Sequence, residues 1–263
     1  MYLSRRARIA LRLFTIAVIA ILYLPLGYVA RLSFSTAKNF AWPPRGWTFG
    51  NWQHAWNQPG PRTALWNSLL TGLNATLIAL VLGTLAAFAL TRHRFFGRNV
   101  VSLAVVLPIA LPGIVTALAL RSAFDRIGLE LSSYTLAVAH ATLCVVVVYN
   151  NVAARLRRIS ANLEEASADL GAGTLQTFRL VTFPLMRSAL LAGGLLAFAL
   201  SFDEIIVTTF TVDGAYRTLP LWFADNFSRP NAIATVNVVA TFVVLASTIP
   251  VYFAQRISDA AVD

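Results

Sequence analysis

Six apolar runs of about 20 residues or more limit what this chain can fold into; they cover approximately residues 9–32, 66–90, 100–124, 134–154, 188–210 and 232–254. A bilayer core about 30 Å thick is crossed by roughly 20 apolar residues of helix at 1.5 Å per residue. A soluble core could not absorb these runs. Of 263 residues, 57% are hydrophobic and only 12% charged, against about 45–50% and 25% in globular domains. Mean hydropathy is +0.67, which excludes a disordered chain or a coiled coil. The one cysteine, Cys144, excludes a disulfide scaffold. The expected architecture is therefore all-α, a polytopic membrane protein with six transmembrane helices forming a single domain over 1–263. The first run follows Arg5, Arg6 and Arg8 as a secretory leader would. It is longer than a leader's apolar region and lacks a convincing small-residue cleavage site, so it is read as a retained span.

The net charge of +10 would favour nucleic acid in a soluble protein, but here it reads as a topology signal. Cationic residues are retained on the cytoplasmic side of a membrane. With both termini cytoplasmic, that side holds Arg5, Arg6, Arg8, Arg12, Arg92, Arg94, Arg98, Arg155, Arg157, Arg158, Arg179, Arg187 and Arg256, most of the 21 basic residues. The opposite side has fewer, offset by Asp125, Glu130, Asp213 and Asp225, and Lys38 is the only lysine. The loop after the first span carries Trp42, Trp47, Trp52 and Trp56, with Trp66 opening the second. Indole rings favour the headgroup zone. The loop is expected either on the membrane surface or as a small folded cap with tryptophan in its own core.

The inner connection 155–187 is long and patterned. Leu156, Ile159, Leu163, Ala166 and Leu170 recur at helical spacing. Ser160 or Asn162 can cap a helix whose first turn holds Glu164 and Glu165, and Gly171 with Gly173 supplies a stop. Thr174 opens a second short helix carrying Leu175, Phe178 and Val181, expected to end at Pro184. The product is a helical hairpin with one apolar face just inside the membrane, a surface that invites a protein partner.

The segment Glu165-Ala166-Ser167-Ala168-Asp169-Leu170-Gly171, with Pro184 following in Val181-Thr182-Phe183-Pro184, resembles the Glu-Ala-Ala loop of ABC importer permeases. Ser167 replaces the family's second alanine, and Val181 and Phe183 replace its isoleucine and leucine. Asn67-Ser68-Leu69, Leu107-Pro108-Ile109-Ala110-Leu111-Pro112-Gly113, Leu200-Ser201-Phe202-Asp203-Glu204 and Thr218-Leu219-Pro220 are similar to permeases of the spermidine/putrescine branch. The resemblance implies a type I importer fold and a subunit of the inner membrane. It also implies ABC ATPase partners, a second and different permease subunit, and an extracytoplasmic solute-binding protein. The hairpin would be a coupling helix, with Glu164, Glu165, Ala166, Asp169, Gly171 and Pro184 as its docking and shaping residues.

Asp203 and Glu204 fall mid-way along the fifth run. A central acidic residue costs roughly 2.5–3.5 kcal/mol on insertion scales, so such residues face a cavity or a partner. On a continuous helix the two point about 100° apart. Either one of them lines the route of a cationic solute, Asp203 being preferred, or an acid pairs with a neighbouring span. The hydroxyls of spans 5 and 6 are expected in helix–helix contacts. His140 is expected as an interhelical hydrogen-bonding residue. Pro108 and Pro112 with Gly113 interrupt the third span, and Pro25 and Pro250 are expected to kink the first and last. No catalytic constellation, phosphate-cradling glycine loop or metal-ligand spacing is present, so the chain is not an enzyme by itself and carries no cofactor, ATP being bound by partner subunits. Importers of other solutes (an amino acid derivative, an opine, ferric iron) and an ATP-independent secondary transporter are the competing readings.

Overall fold

The computed structural model describes residues 4–36, 43 and 46–259. Lys38 and Trp42 lie outside the described residues, as do the side chains of Pro250 and Arg256. Every regular element among the described residues is helical: α1 (Arg5–Ser33), α2 (Gly50–Asn57), α3 (Pro59–Arg92), α4 (Arg98–Ala110), α5 (Gly113–Arg126), α6 (Ser133–Leu156), α7 (Ala161–Asp169), α8 (Thr174–Thr177), α9 (Phe183–Phe202), α10 (Ile206–Thr211), α11 (Leu219–Phe227) and α12 (Ile233–Asp259). A π-helical turn, Phe178–Thr182, joins α8 to α9.

Among the described residues, four helices are long and apolar enough to cross a membrane: α1, α3, α6 and the continuous run Thr174–Phe202. The pair α4 and α5 makes a fifth if counted as one span, and Ile233–Ile249 within α12 is a shorter apolar stretch. The third run is not one continuous helix: it bends by 113° between Ala110 and Gly113, at the interruption expected from Pro112 and Gly113, while Pro108 stays inside α4. Pro112 lacks an N–H and forces its predecessor out of the helical region, and Leu111 accordingly sits at φ −84°, ψ 147°. The fifth run departs from the expected single helix. It ends at Phe202 and restarts at Ile206.

The chain divides into two compact units. One comprises Thr63–Trp222 with Phe253–Asp263. Its core is α6, packed most extensively on α9. Ala75, Ala79 and Ala87 of α3, Ala141, Cys144, Val148 and Val152 of α6, and Met186 and Ala197 of α9 are all buried there. Small residues set the approach distance, as is usual where lipid supplies no hydrophobic drive between helices. A Cβ on Gly83 would stand 2.9 Å from Val148 Cβ and 3.0 Å from the Val145 carbonyl. A second cluster joins Ala117 and Phe124 of α5, Ala139 and Leu143 of α6, and Val207 of α10.

The other unit comprises Met1–Arg62 with Phe223–Tyr252. Helix α1 is continuous through Pro25, and its most apolar window has no buried residue. Side chains such as Ile21 and Leu24, about 70% exposed, are stable there only with lipid as the solvent. The described part of the tryptophan-rich loop has features of both readings: Trp52 is half-buried in a local aromatic cluster, whereas Trp47 and Trp56 are mostly exposed. Phe34 lies against Trp47, Phe49 and Trp52, the Arg31 guanidinium sits 3.8 Å over Trp47, and Asn51 donates to the carbonyls of Ser33 and Ser35. Trp47, Phe49 and Trp56 keep a large exposed surface.

The hydroxyls of the last two runs serve mainly their own helices rather than helix–helix contacts. Thr209, Thr211, Thr241, Ser247 and Thr248 donate to carbonyls three or four residues back. Ser201 and Thr208 are the exceptions described below.

Candidate functional site

The hairpin between α6 and α9 begins where α6 ends. Ser160 caps α7 by accepting from the Asn162 N–H at 3.3 Å. Leu156 and Ile159 are buried in the core, whereas Leu163 and Leu170 are 47% and 90% exposed and Ala166 is exposed as well. The expected apolar stripe thus divides: its first part anchors the hairpin and the rest faces outward. The two adjacent acids divide as well. Glu164 forms an ion pair with Arg92 at 3.1 Å and accepts from the Thr182 hydroxyl at 3.3 Å. Arg92 also donates to the Ile159 carbonyl. Glu165 and Asp169 are exposed. The acid that braces α7 against α3 and the π turn is therefore Glu164, and Arg92, read from the sequence only as a topology charge, is its partner.

At its C-terminus α7 closes in a Schellman arrangement. Gly171 N–H donates to the Ala168 carbonyl at 2.8 Å and Ala172 N–H to the Ser167 carbonyl at 3.1 Å. Gly171 sits at φ +85°, with no atom within 4 Å of where a Cβ would be. Its backbone conformation favours glycine, with Asn and Asp the least penalised alternatives, and the space beside it is open in this chain. Pro184 does not end the second helix as expected. It stands in the first turn of α9, and the π turn before it carries a bond from Phe183 N–H to the Phe178 carbonyl. That widened turn absorbs the donor missing at proline, so the helix passes through.

The acidic pair of the fifth run lies at the gap between α9 and α10, not on a continuous helix. Asp203 is the C-cap of α9, its N–H bonded to the Ala199 and Ser201 carbonyls. Glu204 folds back on the next helix and accepts from the Val207 N–H at 2.9 Å. That contact caps α10, which explains how one carboxylate is tolerated within an apolar run. The Asp203 side chain is exposed, and among the described residues it has no hydrogen-bond or ion-pair partner. Gly113, at the bend between α4 and α5, lies against Ile206 at the start of α10, a Cβ there being 3.7 Å away. The two helix interruptions therefore meet. Interrupted helices within apolar segments are tolerated where protein buries them or where they line a cavity, which is also where transporters build solute sites.

His140 of α6 reaches both sides of the α9–α10 gap. Nδ1 lies 2.8 Å from Ser201 Oγ and Nε2 2.8 Å from Thr208 Oγ1, with all three residues buried. This is the interhelical role expected for it.

At the opposite end of the same unit, Asn67 donates to the Arg217 carbonyl and Tyr216 Oη donates to the Asn67 carbonyl. Ser68 Oγ accepts from the Leu219 N–H at 2.8 Å. The Asn67-Ser68 and Thr218-Leu219-Pro220 segments are thus one clamp, joining the start of α3 to α11. Asp125, Glu130 and Asp213 line a cavity of about 720 Å³ with Arg121, which pairs with Asp125 at 3.1 Å.

Among the described residues the chain is helical, with apolar helices long enough to cross a membrane, a helical hairpin and two apposed helix breaks. Residues 79–263 match the family described as binding-protein-dependent transport system inner membrane component. The chain is 30% identical over 247 residues to the spermidine/putrescine transport system permease protein PotC of Haemophilus influenzae, covering 93% of this chain and 95% of that one. It is 30% identical over 230 residues to the putrescine transport system permease protein PotI of Escherichia coli, covering 84% and 81%. A bacterial ABC transporter that imports the acidic polysaccharide alginate contains a chain of the same fold, with a TM-score of 0.69, 19% identity and 99% of both chains covered. The chain belongs to the binding-protein-dependent transport system inner membrane component family, and it is an ABC importer permease.

Proposed function

We propose that this permease carries a polyamine, spermidine or putrescine, with both termini in the cytoplasm and α12 completing six crossings of a single permease domain, 1–263. The observation that carries the solute reading is the exposed Asp203 carboxylate at the meeting of two helix breaks. A multiply charged ammonium passing that point gains an ion contact that a neutral solute does not. The PotC and PotI relatives, named for these amines, agree with it. An ATP-independent carrier would not need the outward-facing hairpin.

The outward face of α7, with Leu163, Glu165, Ala166, Asp169 and Leu170, docks in a cleft of the ATPase subunit. Glu164 with Arg92 makes the hairpin move as one body with α3, and Pro184 with the π turn passes that motion into α9. A different permease subunit completes the pathway, and an extracytoplasmic binding protein delivers the solute to the side carrying the Asn67 clamp. The test is uptake by the complete four-component transporter in proteoliposomes. Labelled spermidine should enter only with internal ATP and with binding protein outside. Unlabelled putrescine should compete, and a neutral sugar or an amino acid should not. Uptake of an uncharged or anionic solute, with none of spermidine, would overturn the polyamine reading.

A further inference from the structure

We infer that His140 is a positioning residue for solute transfer, acting through the α9–α10 break on Asp203; the inference rests on the reading of Asp203 given above. The Thr208 hydroxyl has one proton, and it is committed to the Glu204 carbonyl at 2.6 Å. Thr208 Oγ1 can therefore only accept from His140, so Nε2 carries the ring proton and donates to it at 2.8 Å. In the neutral ring Nδ1 is then the acceptor, and the Ser201 hydroxyl, 2.8 Å away, donates to it.

One neutral imidazole thus ties the last turn of α9 to α10 from a third helix, with both of its nitrogens satisfied. Between the two tie points lie residues 202–207, Asp203 and Glu204 among them, and the Thr208 end of the bridge is bonded to the backbone of Glu204 itself. The gap's other hydrogen bonds among the described residues are all local in sequence: the Asp203 and Glu204 N–H groups bond back to α9 carbonyls, Glu204 accepts from the Val207 N–H, and the Ile205 carbonyl accepts from Thr209. An interrupted helix without a stitch has several backbone arrangements available, and the exposed carboxylate moves with them. The imidazole selects one. Because it meets neither solute nor ATPase, its effect on transport passes through the position of Asp203.

The experiment uses the complete transporter in proteoliposomes, with labelled spermidine and saturating binding protein, and reads spermidine moved per ATP hydrolysed. A merely structural residue lowers the amount of folded transporter, and with it uptake and ATP hydrolysis in proportion, leaving that ratio unchanged. His140→Ala should lower the ratio by about tenfold while ATP hydrolysis continues. His140→Gln, whose amide can still donate to Thr208, should recover part of it. His140→Ala combined with Asp203→Asn should be no worse than Asp203→Asn alone. The inference falls if His140→Ala leaves the ratio normal or if the two losses multiply. If Asp203→Asn itself leaves the ratio normal, the Asp203 reading fails first and takes the inference with it.

Discussion

Gly171→Asp and Gly171→Asn should both insert and fold close to normally, yet should abolish uptake and prevent the ATPase from co-purifying. Two properties of the position lead to this result. Gly171 has φ +85°, and no atom lies within 4 Å of the place a Cβ would occupy. Asparagine and aspartate visit the left-handed region more readily than other non-glycine residues, at about 1 kcal/mol. The chain itself therefore has both the conformation and the room for either side chain. Thermal melting of the detergent-solubilised permease alone should shift by only a few degrees. What the side chain enters is the volume into which a docked partner would fit. A new bulky polar group there costs the interface its packing, and a loss of more than tenfold in uptake follows. Asparagine separates the steric effect from charge, because both variants should fail alike. Co-purification of the ATPase with normal uptake in both variants would show that nothing docks over the end of α7.

Asp203→Asn should reduce spermidine moved per ATP at least tenfold, with Glu204→Gln much milder. A charge-assisted contact is worth about 1.5–3 kcal/mol, and each 1.4 kcal/mol corresponds to about tenfold. Asparagine in place of Asp203 keeps the size of the side chain and loses the charge that meets an ammonium. Glutamine in place of Glu204 keeps an oxygen to accept from the Val207 N–H, which lies 2.9 Å from the native carboxylate. Only the helix-terminus charge term, about 0.3–1 kcal/mol, is then lost. Glu204→Ala removes the acceptor as well and should destabilise α10 by about 1 kcal/mol. Equal losses in Asp203→Asn and Glu204→Gln would contradict the division of roles, and a normal ratio in Asp203→Asn would remove Asp203 from the solute route.

Much of this arrangement is legible in the amino-acid sequence. The apolar runs mark the helices, because runs of that length have no other tolerable solvent. Ser160 and Gly171 mark the ends of α7, because each supplies a backbone solution that other residues lack. Pro112 marks the bend between α4 and α5, although its 113° angle depends on how α5 packs on α6 and α10.

Three features escape local pattern for physical reasons. Pro184 resembles a stop, but a π turn one turn earlier removes the conflict between proline and the helix, and nothing in local composition announces such a turn. The gap at 203–205 has no proline or glycine to mark it, so a run of apolar residues conceals it. The acidic pair is the available signal: a second carboxylate in a continuous apolar helix is costly, and a helix end relieves it by presenting free N–H groups. The division between Glu164 and Glu165 is likewise beyond local pattern. It depends on Arg92, 72 residues earlier in the chain, whose charge membrane topology already accounts for.

The central claim is that the outward face of α7 seats in the ATPase and receives its work from it. The direct measurement is site-specific cross-linking of Leu170→Cys, at a side chain 90% exposed, after removal of the internal thiol by Cys144→Ala. In the complete transporter the cysteine should cross-link to the ATPase subunit at high yield, with the yield changing between nucleotide-free and vanadate-trapped states. Solute uptake at normal rates by a transporter in which residue 170 never cross-links to the ATPase, in any nucleotide state, would contradict the account.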